Sequence, residues 1–204
     1  MHRAKMISTN HQMPKKSKKS IKGISERGYE TVSSKDVAPW ERDLEKKARR
    51  RYRLHDTLSH PWSHTLRVVR IVKTIAKTIC PQHINAAITA AYLHDIARED
   101  DASGKEHAVA GAQIAHRFFP KGLTMLERRT VKFAIEHHAD RVAPNGGYPV
   151  TSNYPDIKRA GLIVEVIAAL WDADRLDLVR MKPVSKRYLS TDYARKILSK
   201  TRSN

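Results

Sequence analysis

From Pro39 onward, apolar residues recur every three or four positions, the spacing that gathers them on one side of a helix. A first helix is expected over 39–53, where Pro39 suits the opening turn and Asp43 with Lys47 and Glu45 with Arg49 form favourable pairs four apart. A second begins at Pro61 and sets His64, Val68, Ile71, Val72, Ile75 and Ile79 on one stripe before Pro81 ends it. A third aligns Ile84, Ala87, Ile88 and Ala91, and then His94 and Asp95. Helices over 107–119 and 124–138 follow. The stretch 141–155, with three prolines and the neighbours Gly146 and Gly147, reads as a long loop and a candidate lid. A sixth helix over 157–179 is apolar on nearly every side in its middle, so it is expected to run through the core. The last, 192–200, would be capped by Ser190 or Thr191. No alternating run of strand length competes, and the expected fold class is all-α, a single bundle of about six to eight helices.

A chain of 204 residues suits one domain of ordinary size. Of Leu, Ile, Val and Phe, residues 1–36 hold only Ile7, Ile21, Ile24 and Val32, against nine basic and three acidic residues, Lys15, Lys16, Lys18 and Lys19 among the basic ones. That balance cannot build a core, so 1–36 is expected to be a disordered basic tail before a domain at 37–204. The net charge of +18 is shared by both parts and concentrates polyanions such as nucleotides, nucleic acids or anionic lipid. The tail is either a solvated leader or an arm for nucleic acid or a membrane surface. A single cysteine, Cys80, excludes an intramolecular disulfide and suits a reducing, cytoplasmic setting. The longest apolar stretch, 162–171, contains Glu165 and is too short to span a bilayer, and no apolar run follows the basic start as a secretory signal would require. Nothing in the pattern fixes an oligomeric state.

Candidate chemistry changes the picture more than composition does. Nine of the eleven histidines lie between His55 and His138, several on apolar stripes beside carboxylates. Divalent transition metals take neutral imidazole and carboxylate as ligands, and a bundle projects such groups inward from different helices toward one point. His64, the adjacent His94 and Asp95, and Asp174 meet that demand. Asp174 is the hardest to explain otherwise, since a carboxylate inside an apolar helix is costly unless paired or metal-bound.

The order of these residues, within the blocks HPWSHTLRV (60–68), AAYLHDIAR (90–98), EHAVAGA (106–112), AIEHH (134–138) and WDADRLDLVR (171–180), resembles the HD superfamily of metal-dependent phosphohydrolases. The resemblance covers about residues 55–198 and is closest to small stand-alone HD proteins with the ADRLD block. It implies an all-helical fold whose first metal is held by His64, His94, Asp95 and Asp174. Other HD subfamilies hold a second ion through two more histidines; His107 and His138 stand at the matching places, with His137 beside them. Their alternative role is to support a single ion or to contact substrate. The ion would be manganese, iron, cobalt or nickel, with magnesium admissible. A Gly147-Tyr148-Pro149 block after the His pair resembles HD-GYP cyclic-dinucleotide phosphodiesterases, but Ala139 stands where a glutamate is usual and the spacings differ.

The implied activity is hydrolysis of a phosphoester or phosphoanhydride in a small phosphorylated, nucleotide-like substrate by metal-activated water at the centre holding His94 and Asp95. Arg175, Arg98 and Arg67 are the expected phosphate contacts, and His60, Asp172 and Asp177 the expected partners of the metal-binding imidazoles. A metal-dependent nuclease and a non-catalytic nucleotide or nucleic-acid binding module are the competing readings.

Overall fold

The computed structural model describes residues 37–54, 60–140, 154, 157 and 159–202. Among them are seven α-helices and no strand, in the order α1 (Pro39–Arg51), α2 (Trp62–Ile79), α3 (Ile84–Leu93), α4 (Glu106–Ile114), α5 (Met125–Glu136), α6 (Val164–Asp177) and α7 (Asp192–Arg202). The basic stretch 1–36 lies outside the described residues, as does the candidate lid 141–155 apart from Tyr154.

α6 is the axis of the bundle because its sequence leaves it no polar side in the middle: Val166 to Trp171, Ala173 and Leu176 are all fully buried. It packs against α2, α3 and α5, and the Trp171 indole N–H donates to the Ala134 carbonyl of α5 at 2.9 Å. The apolar stripe of α2, from Val68 through Ile75, meets α6 and α3. α4 rests on α5 and comes close at Gly111, where a Cβ would meet the Ile135 side chain at 3.4 Å and the His94 carbonyl oxygen at 3.5 Å. Gly111 is one turn from His107, so the missing side chain lets His107 approach the end of α3.

Local signals set most boundaries. Thr124 caps α5 in a reciprocal capping box with Glu127, and Cys80 closes α2 just before Pro81. Thr191, of the two candidates, caps α7: its hydroxyl accepts the Ala194 N–H at 3.1 Å. α6 starts later than the periodicity predicts, at Val164 and not at 157. Gly161 turns the chain there with φ +68, a left-handed conformation that an α-helix does not contain. α4 likewise gives way to a short 3-10 turn at Ala115–Arg117 before reaching 119.

Candidate metal centre

His64 points inward from the first turn of α2, His94 and Asp95 follow the last residue of α3, and Asp174 sits in the last turn of α6. Their termini converge. His64 Nε2 lies 3.2 Å from His94 Nε2, 3.3 Å from Asp174 Oδ1 and 3.7 Å from Asp95 Oδ2. His94 Nε2 is 3.5 Å from Asp95 Oδ2 and 3.9 Å from Asp174 Oδ1. The adjacent residues of the doublet share one focus just beyond the end of α3 at Leu93.

A second set meets the other oxygen of the same carboxylate. His107 Nε2 is 3.1 Å and His138 Nε2 3.4 Å from Asp95 Oδ1, and the two imidazole nitrogens are 3.1 Å apart. Asp95 therefore joins both sets.

Hydrogen bonding on the far side of the rings fixes which nitrogen faces inward. His64 Nδ1 donates to Asp177 Oδ2 at 2.8 Å, His94 Nδ1 to the Ala91 carbonyl at 2.8 Å and His138 Nδ1 to the Ile135 carbonyl at 2.6 Å. Carboxylates and carbonyls can only accept, so each Nε2 of the neutral ring carries a lone pair toward the centre. Asp95 Oδ2 is buried with no hydrogen-bond partner at all. Converging lone pairs around an orphaned carboxylate oxygen are costly to bury unless a cation joins them, and an imidazole and carboxylate donor set fits a divalent transition metal.

Electrostatics follow this geometry. Burial acts to depress the His64 imidazole, but the carboxylates of Asp174 and Asp177 outweigh it and lift its pKa to about 9. Burial dominates at His94 and lowers it to about 4. Burial disfavours the charged forms of Asp95 and Asp174, yet the surrounding imidazoles hold both well below the ordinary carboxylate range.

Of the expected imidazole partners, Asp177 holds His64 and is itself gripped by Arg67, at 2.6 and 3.2 Å, and by Arg180 at 3.0 Å. Arg67 is thus engaged by Asp177 through two nitrogens. His60 lies edge-on to His64, 5.2 Å between ring centroids, with Nδ1 3.0 Å from Asp101. Asp172 points away from this centre: it accepts the Ser190 and Thr191 N–H groups at 2.6 and 2.8 Å and the Thr191 hydroxyl at 2.9 Å, which makes it a support of the α7 start. The physical reason is helical geometry, since 172 and 174 point about 160° apart while 174 and 177 lie about 60° apart.

Arg98 is nearly buried and turned toward Asp95 Oδ1 and His107 Nε2. Arg175 lies over the Trp171 ring at 5.8 Å, with Nη1 buried and unpartnered. His137 stays outside both imidazole sets; its ring lies tilted against Phe133 and Tyr154, and its Nδ1 is 2.8 Å from Asp140, which also accepts the Tyr154 hydroxyl. A cleft of about 830 Å³ opens beside the centre, lined by His60, Arg98, Asp101, Lys105, His107, Asp140 and Tyr154 among others. Asp101, Lys105, Asp140 and Tyr154 escape the sequence reading because they come from connections without periodicity. The spacing of Asp140 three residues after His137 is the one usable signal.

No curated protein and no solved structure showed significant similarity to the chain. Among the described residues, no helix is long and apolar enough to cross a membrane. The family model of the HD domain matches residues 62–178, more than half of the chain and a span that runs from His64 past Asp177, and the chain accordingly belongs to the HD domain family.

Proposed function

We propose that the protein is a metal-dependent phosphohydrolase that cleaves a phosphoester or phosphoanhydride bond of a small, nucleotide-like substrate. The observation that carries this reading is the convergence of His64, His94 and Asp174 on the unpartnered Oδ2 of Asp95. These four side chains would hold the ion. When bound, a divalent transition ion supplies Lewis acidity, making water a nucleophile near neutral pH and polarising a phosphoryl oxygen.

The chain's own residues supply the rest. Asp177 orients His64, and the Ala91 carbonyl orients His94, so neither ring has to reorganise to present its lone pair. The adjacent cleft has room for a nucleotide and carries Lys105 and His60 on its wall for a phosphorylated group. Arg175, with an uncommitted N–H beside Asp174, is the side chain we assign to the substrate phosphate. We place this activity in residues 37–204 and assign the basic stretch 1–36 to contact with polyanions.

The test is release of phosphate, pyrophosphate or nucleoside from a panel of nucleotides with manganese, cobalt or magnesium. Turnover that needs added metal and is lost in Asp95→Ala supports the reading. Turnover of oligonucleotides alone would make the protein a nuclease, and none on any phosphorylated compound would sink the proposal.

A further inference from the structure

The two imidazole pairs differ in one respect. At His64 and His94, no lysine or arginine nitrogen among the described residues lies within ion-pair distance of Asp174 or of Asp95 Oδ2. At His107 and His138 the protein brings its own cation. Arg98 Nε donates to Asp95 Oδ1 at 3.0 Å, and Arg98 Nη2 lies 2.8 Å from His107 Nε2. A guanidinium has only donors, so His107 Nε2 must accept from it, and its lone pair is committed to Arg98. The atoms so engaged, Asp95 Oδ1 and His107 Nε2, belong to the three that a second ion would need.

Resting on the metal-dependent reading above, we propose that the guanidinium of Arg98 stands in for a second metal ion, making the protein a one-metal centre in which His107 and His138 are positioning residues. Arg98 is well suited to the part. It is fixed at its other end by Nη1 donating to the Ser103 carbonyl at 3.3 Å, it is 7% exposed, and its spacing three residues after Asp95 brings it back over the turn that follows α3. A permanently charged group at this place balances Asp95 Oδ1 without any ion, and displacing it would leave a buried guanidinium that must find new acceptors. The first pair has no such substitute, so metal affinity concentrates there.

The test counts ions. The full-length protein is saturated with Mn2+, freed of excess by gel filtration, and measured for metal content per chain and for the electron paramagnetic resonance signature of coupled ions. Wild type is expected to retain about one ion with an uncoupled spectrum, His107→Ala to retain the same, and Arg98→Met to take up about a second ion and show spin coupling. Two retained ions in wild type, falling to one in His107→Ala, would overturn the inference while leaving the metal-dependent reading intact. So would a count that stays at one in a folded Arg98→Met. Wild type that retains no ion and shows no metal-dependent turnover would overturn both. Because wild type and His107→Ala already discriminate, the result does not depend on Arg98→Met folding.

Discussion

His64 and His94 face each other through their Nε2 atoms at 3.2 Å, although the Nδ1 hydrogen of each is already given away, to Asp177 in one case and to the Ala91 carbonyl in the other. Two lone pairs at that distance repel. Either a proton or a metal ion relieves them, and the two must compete. Metal-free protein keeps one proton on the pair from about pH 4 to about pH 9, the values at which His94 and His64 titrate. Metal affinity is therefore expected to rise about tenfold per pH unit up to about pH 9, with about one proton released per ion. Calorimetry of Co2+ binding in buffers of different ionisation heat checks this, and an affinity independent of pH between 6 and 8 would show that the pair holds no proton.

The same pair makes the stability of metal-free protein depend on pH in opposite directions. His64 is raised above its unfolded value of about 6.5, so its contribution is fully present below that pH and is lost as pH rises through about 9. His94 is depressed, so its contribution is present above about 6.5 and is lost as pH falls through about 4. Thermal melts in the presence of a chelator are expected to show a maximum near pH 6.5 from these two groups, flattened when metal is restored. A melting temperature that climbs steadily from pH 6.5 to 9 would contradict it.

How much of this was readable beforehand depends on whether a residue's position is set by helical periodicity. His64 falls on the α2 stripe, and the His94 and Asp95 doublet ends the α3 pattern, so both were legible as inward-facing groups. Asp174 was legible because a carboxylate inside an apolar helix is costly unless it is paired or bound to an ion. Asp172 misled, since an apolar helix offers no polar face against which to rank its acids; the wheel separates Asp172 from Asp174 and Asp177 only once the direction of the centre is known. The partnership of Asp101 with His60 and of Asp140 with His137 and Tyr154 depends on how connections fold back, which no local spacing encodes.

Asp172→Ala is expected to cost stability and not chemistry. It would strip the Ser190 and Thr191 N–H groups of their acceptor in a buried position, a loss of about 2–4 kcal/mol. Chemical denaturation measures the loss, and turnover per folded molecule should stay near wild type. A catalytic defect at full stability would place Asp172 in the centre after all.

Asp177→Asn separates orientation from ligation. The carboxylate accepts from His64, Arg67 and Arg180 at once, and an amide oxygen cannot balance two guanidinium groups and hold the imidazole as firmly. Metal affinity is expected to fall about 10- to 100-fold while the helical circular dichroism spectrum persists. Unchanged affinity would mean that His64 needs no orienting partner.

The neighbours Asp174 and Arg175 give the sharpest test of the route from ligand to substrate. Asp174 Oδ1 is 3.3 Å from His64 Nε2, and its charge, with those of Asp177 and Asp95, holds that imidazole protonated in metal-free protein. Asp174→Asn keeps the side chain's size but removes the charge, so the His64 pKa should fall, metal content should collapse, and metal-dependent turnover should drop by about a hundredfold or more. Arg175 touches none of the ligand atoms; its guanidinium lies over Trp171 with one nitrogen unpartnered. Arg175→Ala should therefore retain wild-type metal content while KM rises, most steeply for substrates with more phosphate charge. Metal loss in Arg175→Ala would show that it supports the centre, whereas equal turnover of mono- and triphosphates by that variant would move the phosphate contact to Lys105 and His60 in the cleft wall.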